Sequence, residues 1–150
     1  MNKKPTESLQ WREVLRSKGL RVTSAILATL ECLERNDDAL SHEALSKKLG
    51  DQSPDRVTLY RILERLVQVG VVTKYTDSTR LQHFSLKHDV SMGSFECDKC
   101  HHVIPIEKDP VLEAAMQLVK TRLSEQGMAE REVVLASYGI CPDCKQNPHS

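Results

Sequence analysis

No run of apolar residues in this chain approaches the roughly 20 needed to cross a bilayer, so the sequence predicts no membrane span. The N-terminus does not read as a secretion signal either. Met1-Asn2-Lys3-Lys4-Pro5-Thr6-Glu7 leads into an amphipathic stretch rather than an apolar core, and the expected location is the cytoplasm. There is no glycine-rich phosphate loop, no Ser/His/Asp order and no metal motif with an open position, which leaves an enzyme nothing to work with. Nor is there an excess of either charge: the 21 Lys and Arg balance the 21 Asp and Glu. A zero average argues against a nucleic-acid partner, but the average conceals a division. Residues 1–86 carry 14 basic against 11 acidic side chains, a difference of +3, and residues 87–150 carry 7 against 10, a difference of −3. A basic first part and an acidic second part fit a nucleic-acid reader joined to something else.

The first part has helical periodicity. Thr6 is placed to cap a helix running to about Ser17, with Trp11, Val14 and Leu15 on one face and Gly19 just beyond its end. Thr23 opens a second, whose apolar face is Ile26, Leu27, Leu30 and Leu33 and which ends near Asn36. Ser41 caps a short third helix, His42 to Leu49, stopped by Gly50. Ser53-Pro54-Asp55 reads as the start of a fourth, with Ser53 as cap, Pro54 in the first turn, and Val57, Leu59, Ile62, Leu63, Leu66 and Val69 carrying it to Gly70. Two short strands, Val71 to Tyr75 and Arg80 to Leu86, flank a turn at Thr76-Asp77-Ser78-Thr79. Helices followed by a hairpin predict a winged helix-turn-helix over residues 1–86.

Residues 87–150 are built differently. A strand enters Cys97, and Val103-Ile104-Pro105-Ile106 leaves the first cysteine pair. Asp109-Pro110 starts a helix whose Leu112, Ala115, Met116, Val119 and Leu123 share a face and which Gly127 ends; Glu132 to Ile140 then runs as a strand into the second pair. The predicted class is α+β.

Cys97-x-x-Cys100 and Cys141-x-x-Cys144 carry the strongest chemical signal. A two-residue spacer makes a tight knuckle that points both sulfurs inward, and two such knuckles complete a tetrahedral zinc shell. In a reducing compartment paired cysteines favour metal over disulfide. Four thiolates leave no position for substrate or water, so one Zn2+ per chain is expected to be structural. Its use is evident, because 64 residues bury little core and a metal clip can supply much of their folding free energy. His101 and His102 follow a filled shell and are read as surface residues, and Cys32 as a small core residue.

In a winged helix the N-terminal turns of the second helix of the helix-turn-helix enter the major groove. That places Arg56, Thr58, Tyr60 and Arg61 as DNA-reading candidates, with Lys18 and Arg21, near the turn between the first two helices, as phosphate contacts.

Gly19-Leu20-Arg21-Val22-Thr23, Val57-Thr58-Leu59-Tyr60-Arg61-Ile62-Leu63, the wing, the two cysteine pairs and Tyr138-Gly139-Ile140-Cys141 together resemble the ferric uptake regulator family, in order, from about Leu9 to Cys144. The resemblance implies a winged helix followed by a small α/β dimerisation domain. It implies binding of a homodimer to double-stranded DNA at an inverted-repeat operator, with Tyr60 and Arg61 at DNA-contacting positions and the four cysteines as structural zinc ligands. The departures are concentrated where such proteins usually hold a regulatory metal. A histidine-rich run before the first pair is replaced by Ser91, Met92, Gly93 and Ser94, and single ligand positions fall at Ser85, Pro105, Val133 and Ala39. These replacements are poor ligands for a divalent first-row metal. An arginine usual after the Gly-Leu-Arg-x-Thr string is Ile26. The expectation is a regulator, acting as a repressor, that keeps the fold, dimer and zinc clip but has an absent or displaced regulatory site. A displaced site would draw on His83, His88 and Asp89; oxidation of the zinc thiolates is another candidate switch. The competing reading is a protein-interaction module that has lost DNA binding and modulates other regulators by dimerisation.

Overall fold

In the computed structural model, which describes residues 5–86 and 91–147, capping chemistry fixes most helix boundaries. Helix α1 (Pro5–Ser17) begins one residue before Thr6, so the position expected ahead of the helix falls within its first turn. Gly19, at φ +71°, closes the helix: its amide donates to the Arg16 carbonyl at 3.0 Å and the Leu20 amide to the Leu15 carbonyl at 2.9 Å. This paired arrangement needs a left-handed residue, which glycine supplies without strain. Helix α2 (Ser24–Glu34) is capped by Thr23, whose hydroxyl oxygen accepts from the Ile26 amide at 3.2 Å. A two-residue strand β1 (Leu40–Ser41), too short to carry a periodic signal, precedes α3 (His42–Leu49), where the Ser41 hydroxyl oxygen accepts from the Ala44 amide.

Helix α4 (Arg56–Gln68) starts later than the sequence suggested. Its cap is Asp55, not Ser53. One Asp55 carboxylate oxygen accepts from the Thr58 amide at 3.0 Å and the other from the Thr58 hydroxyl at 2.5 Å. Ser53 instead ends a single 3-10 turn, Gly50–Gln52, and its hydroxyl is spent on Ser46 and the Pro54 carbonyl. Asp and Ser are equally good caps, so the local string could not choose between them. Strands β2 (Val72–Thr76) and β3 (Gln82–Leu86) form the hairpin, and β1 adds to β3, giving an antiparallel sheet in the order β1-β3-β2. Leu15, Leu30, Leu45, Leu59, Leu63, Leu66 and Phe84 are fully buried in one core, so every helix and the central strand contribute. Four helices and a hairpin pack here as a winged helix.

The chain divides into two compact units, residues 1–86 and 87–150. The second has strands β4 (Ser91–Cys97) and β5 (Val103–Glu107), helix α5 (Pro110–Glu125), strand β6 (Leu135–Gly139) and a short helix α6 (Pro142–Gln146) that the sequence did not announce. The sheet order is β5-β4-β6, with β4 antiparallel to β5 and parallel to β6. The last strand starts three residues later than Glu132. Asp109 caps α5 by accepting from the Val111 and Leu112 amides. Among the described residues of this unit the buried apolar side chains are Cys97, Val103 and Cys141, and none of the 16 residues of α5 is buried. A unit with so little core needs another source of stability.

Candidate functional site

Cys97 ends β4 and Cys141 follows β6, and the parallel pairing of these two strands brings the ends together: the register runs to Cys97 opposite Gly139, and the Asp98 amide donates to the Gly139 carbonyl at 2.7 Å. Each pair then folds as a knuckle. After Cys97 the His101 amide returns to the Cys97 carbonyl, with His101 itself at φ +57°, and after Cys141 the Lys145 amide returns to the Cys141 carbonyl as α6 begins. The four sulfurs of Cys97, Cys100, Cys141 and Cys144 all lie within 4.8 Å of one another. Cys100 and Cys141 Sγ are 3.7 Å apart, far beyond the roughly 2.05 Å of a disulfide, and all five cysteines are free thiols. A tetrahedral ion with metal–sulfur bonds of about 2.3 Å spaces its ligands by about 3.8 Å, so the cluster has the dimensions of a filled four-sulfur shell.

The acidities of the cluster fit the same chemistry. The backbone N–H of Cys100, followed by that of Cys141, points at Cys97 Sγ and holds its thiol down to about 6. Burial pushes the Cys100 thiol up. The hydrogen bond with Cys141, then burial and the nearby sulfurs of Cys100 and Cys97, push Cys144 up to about 12. One thiolate forms easily and the last resists, because each new anion is placed beside the others. A bound divalent cation removes that opposition, so the arrangement is a structural metal site. His101 and His102 are exposed beside it, and His101 Nδ1 lies 3.4 Å from a Glu96 oxygen.

The winged-helix unit presents a different surface. Arg56, Thr58, Tyr60 and Arg61 are all exposed on the first turns of α4, and Lys18 and Arg21 are exposed on either side of Gly19 and Leu20. Thr58 differs from the other three, since its hydroxyl proton is committed to Asp55. Asp55 is itself exposed, and the Thr58 hydroxyl and amide hold its carboxyl below the usual range. Two features were not anticipated. Val57 is 58% exposed on this face rather than in the core; it sits two residues before Leu59, about 200° round the helix from the buried stripe, and that spacing was available in the sequence. Tyr60 stacks on His42 of α3, with ring centroids 4.0 Å apart and planes at 18°.

His83 of β3 is buried, and its Nε2–H donates to Asp77 at 2.8 Å while its Nδ1 has no hydrogen-bond partner among the described residues. Asp77 also accepts from the Thr79 amide and hydroxyl and the Leu81 amide, organising the hairpin turn. His88 and Asp89, which a displaced metal site would share with His83, lie outside the described residues. Ser85 is buried beside Leu86, and Ala39 is buried next to β1.

The family model described as the ferric uptake regulator family matches residues 17–132. A ferric uptake regulation protein of Vibrio anguillarum is 30% identical over 143 residues, covering 92% of this chain and 93% of that protein. One of Campylobacter jejuni is 24% identical over 139 residues, covering 90% and 86%. Among solved structures, the ferric uptake regulator of Vibrio cholerae superposes with a TM-score of 0.68 at 28% identity, over 86% of this chain and 98% of that one. A zinc uptake regulator solved with zinc and DNA superposes with a TM-score of 0.70 over the whole of both chains; at 24% identity it speaks to the fold. Among the described residues no helix is long and apolar enough to cross a membrane.

Proposed function

The chain belongs to the ferric uptake regulator family, whose members are transcription regulators and not enzymes, and from that premise we propose that it is a homodimeric repressor binding an inverted-repeat DNA operator. The reading turn of α4 carries this proposal: Arg56, Tyr60 and Arg61 stand exposed at the N-terminal end of the second helix of a helix-turn-helix, as major-groove readout requires. Lys18 and Arg21 are assigned to phosphates, and Thr58 to a base edge that donates to its remaining lone pairs. Zinc is the ion assigned to the four cysteines. When bound it supplies cross-linking rather than chemistry, since the sulfurs complete its shell. The chain's own contribution is the pair of knuckles, whose amides aim at Cys97 and prepare it as the first thiolate.

A regulatory metal site of the usual kind is absent in this reading, and the backbone gives a reason. Gly93 occupies one of the usual ligand positions, and a Cβ built there would lie 2.1 Å from the Leu135 carbonyl oxygen. A ligand side chain at 93 is sterically excluded while β4 and β6 remain paired as they are. If a second metal binds elsewhere, His83 Nδ1 is the ligand to test, with His88 and Asp89 to complete it. Zinc titrated beyond one equivalent per chain decides this: no second binding event and unchanged operator affinity would remove that site. The competing interaction module has one observation in its favour, the exposed and ionised Asp55 at the front of α4, which phosphates would meet as a like charge.

Selection of operators from random DNA, followed by binding measured against salt, tests the proposal. The expected result is a palindromic sequence bound with a steep salt slope, close to −0.9 per phosphate contacted. Binding without sequence preference, or without salt dependence, would contradict it.

A further inference from the structure

The stack between His42 and Tyr60 joins the scaffold helix of the helix-turn-helix to its reading helix, and it has a definite chemistry. His42 is the first residue of α3, placed there by the Ser41 cap. Its Nε2 lies 3.1 Å from the Arg56 carbonyl oxygen. A carbonyl oxygen only accepts, so Nε2 carries the proton and donates it. In an α-helix the same Arg56 carbonyl accepts from the Tyr60 amide, four residues on. One imidazole thus holds the first turn of α4 by hydrogen bonding and the Tyr60 ring by stacking. The two rings differ in exposure. His42 is 9% exposed, too buried to reach a base edge, whereas Tyr60 is 37% exposed.

We infer that His42 is a specificity-determining positioning residue: its ring is a platform that holds Tyr60 at one angle on the reading face of α4. The inference rests on the DNA-reading function proposed above and adds a residue that acts through Tyr60 without touching DNA. A tyrosine has two rotatable side-chain bonds, and an unsupported one on an exposed helix must be frozen when it meets a base. Here the freezing is done before DNA arrives, so less affinity is lost to ordering. The benefit belongs to the correct base pair alone, because a ring held at one angle cannot swing to accommodate the wrong one. Stacked aromatic pairs of this kind correspond to a change of about two- to tenfold in an equilibrium constant.

The test uses the full chain and the operator recovered by selection, with single-base variants of that operator and unrelated DNA as controls. His42→Ala is expected to lower operator affinity by about two- to tenfold with the salt slope unchanged. The loss should be concentrated at the one base-pair position that Tyr60→Ala also relaxes, and His42→Ala should add little once Tyr60 is already alanine. His42→Phe keeps the stack without the donor and should recover most of the discrimination. Thermal unfolding of each variant confirms that it is folded; should His42→Ala fail there, the phenylalanine variant, the tyrosine variant and their double mutant complete the comparison. Equal losses on operator and unrelated DNA, additive effects of the two residues, or a phenylalanine variant as defective as the alanine one would overturn the inference. The Tyr60 ring proton shifts in the free protein report the stack independently of DNA, and an averaged ring insensitive to His42 would also overturn it. A wild-type chain that shows the stack but selects no DNA sequence would instead refute the function on which the inference stands.

Discussion

Asp77 shows how much one side chain can do in this molecule. It is buried in the hairpin turn, and burial works against its ionisation; the Thr79 hydroxyl, His83, and the Leu81 and Thr79 amides outweigh that and hold its carboxyl down to about 2. Its value in the folded chain is below that of an ordinary carboxyl, so the stabilisation is present above about pH 4 and is lost as pH falls towards 2. Asp77→Asn should remove most of this acid sensitivity and cost about 1–2 kcal/mol at neutral pH, since four donors lose a charged acceptor. Unfolding followed as a function of pH checks both, and an unchanged acid limb would contradict the assignment. Gly93 makes the converse point, that a missing side chain can be structural. Gly93→Asp, which would restore a usual ligand type, should loosen β4 from β6 without creating a metal site, seen as a lower melting temperature and no added metal.

At the scale of elements, α4 should divide its exposed residues by role. Arg61→Ala or Arg56→Ala, if the residue meets a phosphate, should reduce the salt slope of operator binding by about 0.9; if it meets a base, the slope should hold and preference at one position relax. The helices and their limits were legible because Thr23, Ser41, Asp109, Gly19, Gly50, Gly70 and Gly127 are local signals whose hydrogen bonds are made within a few residues. The cysteine knuckles were legible for the same reason. What escaped was decided by partners distant in sequence. Strand β1 exists because Phe84 and His83 lie across from it, and the His42 stack exists because α3 and α4 cross. The Ser53 error lies between these cases, since two good caps competed and Ser46, seven residues away, took one of them. Val57 was misplaced by hydrophobicity alone, although its angular position argued otherwise.

For the whole molecule, pairing two readers requires that residues 87–150 become rigid. Helix α5 has no buried residue, and Val111 and Leu118 are 78% and 56% exposed, with Val134, Tyr138 and Ile140 also exposed in the same unit. A second copy is the proposed cover for this surface. Leu118→Glu should weaken dimerisation by about 3 kcal/mol, because twofold symmetry introduces the charge twice, while each chain stays folded. Sedimentation together with a thermal melt separates those outcomes. The proposed dimer depends in turn on the proposed metal. The most direct measurement is the zinc content of the purified chain alongside its mass in solution, before and after a strong chelator. One zinc per chain is expected, with its removal unfolding residues 87–150, splitting the dimer and leaving the winged helix folded. A metal-free chain that is still dimeric and fully folded would contradict the account.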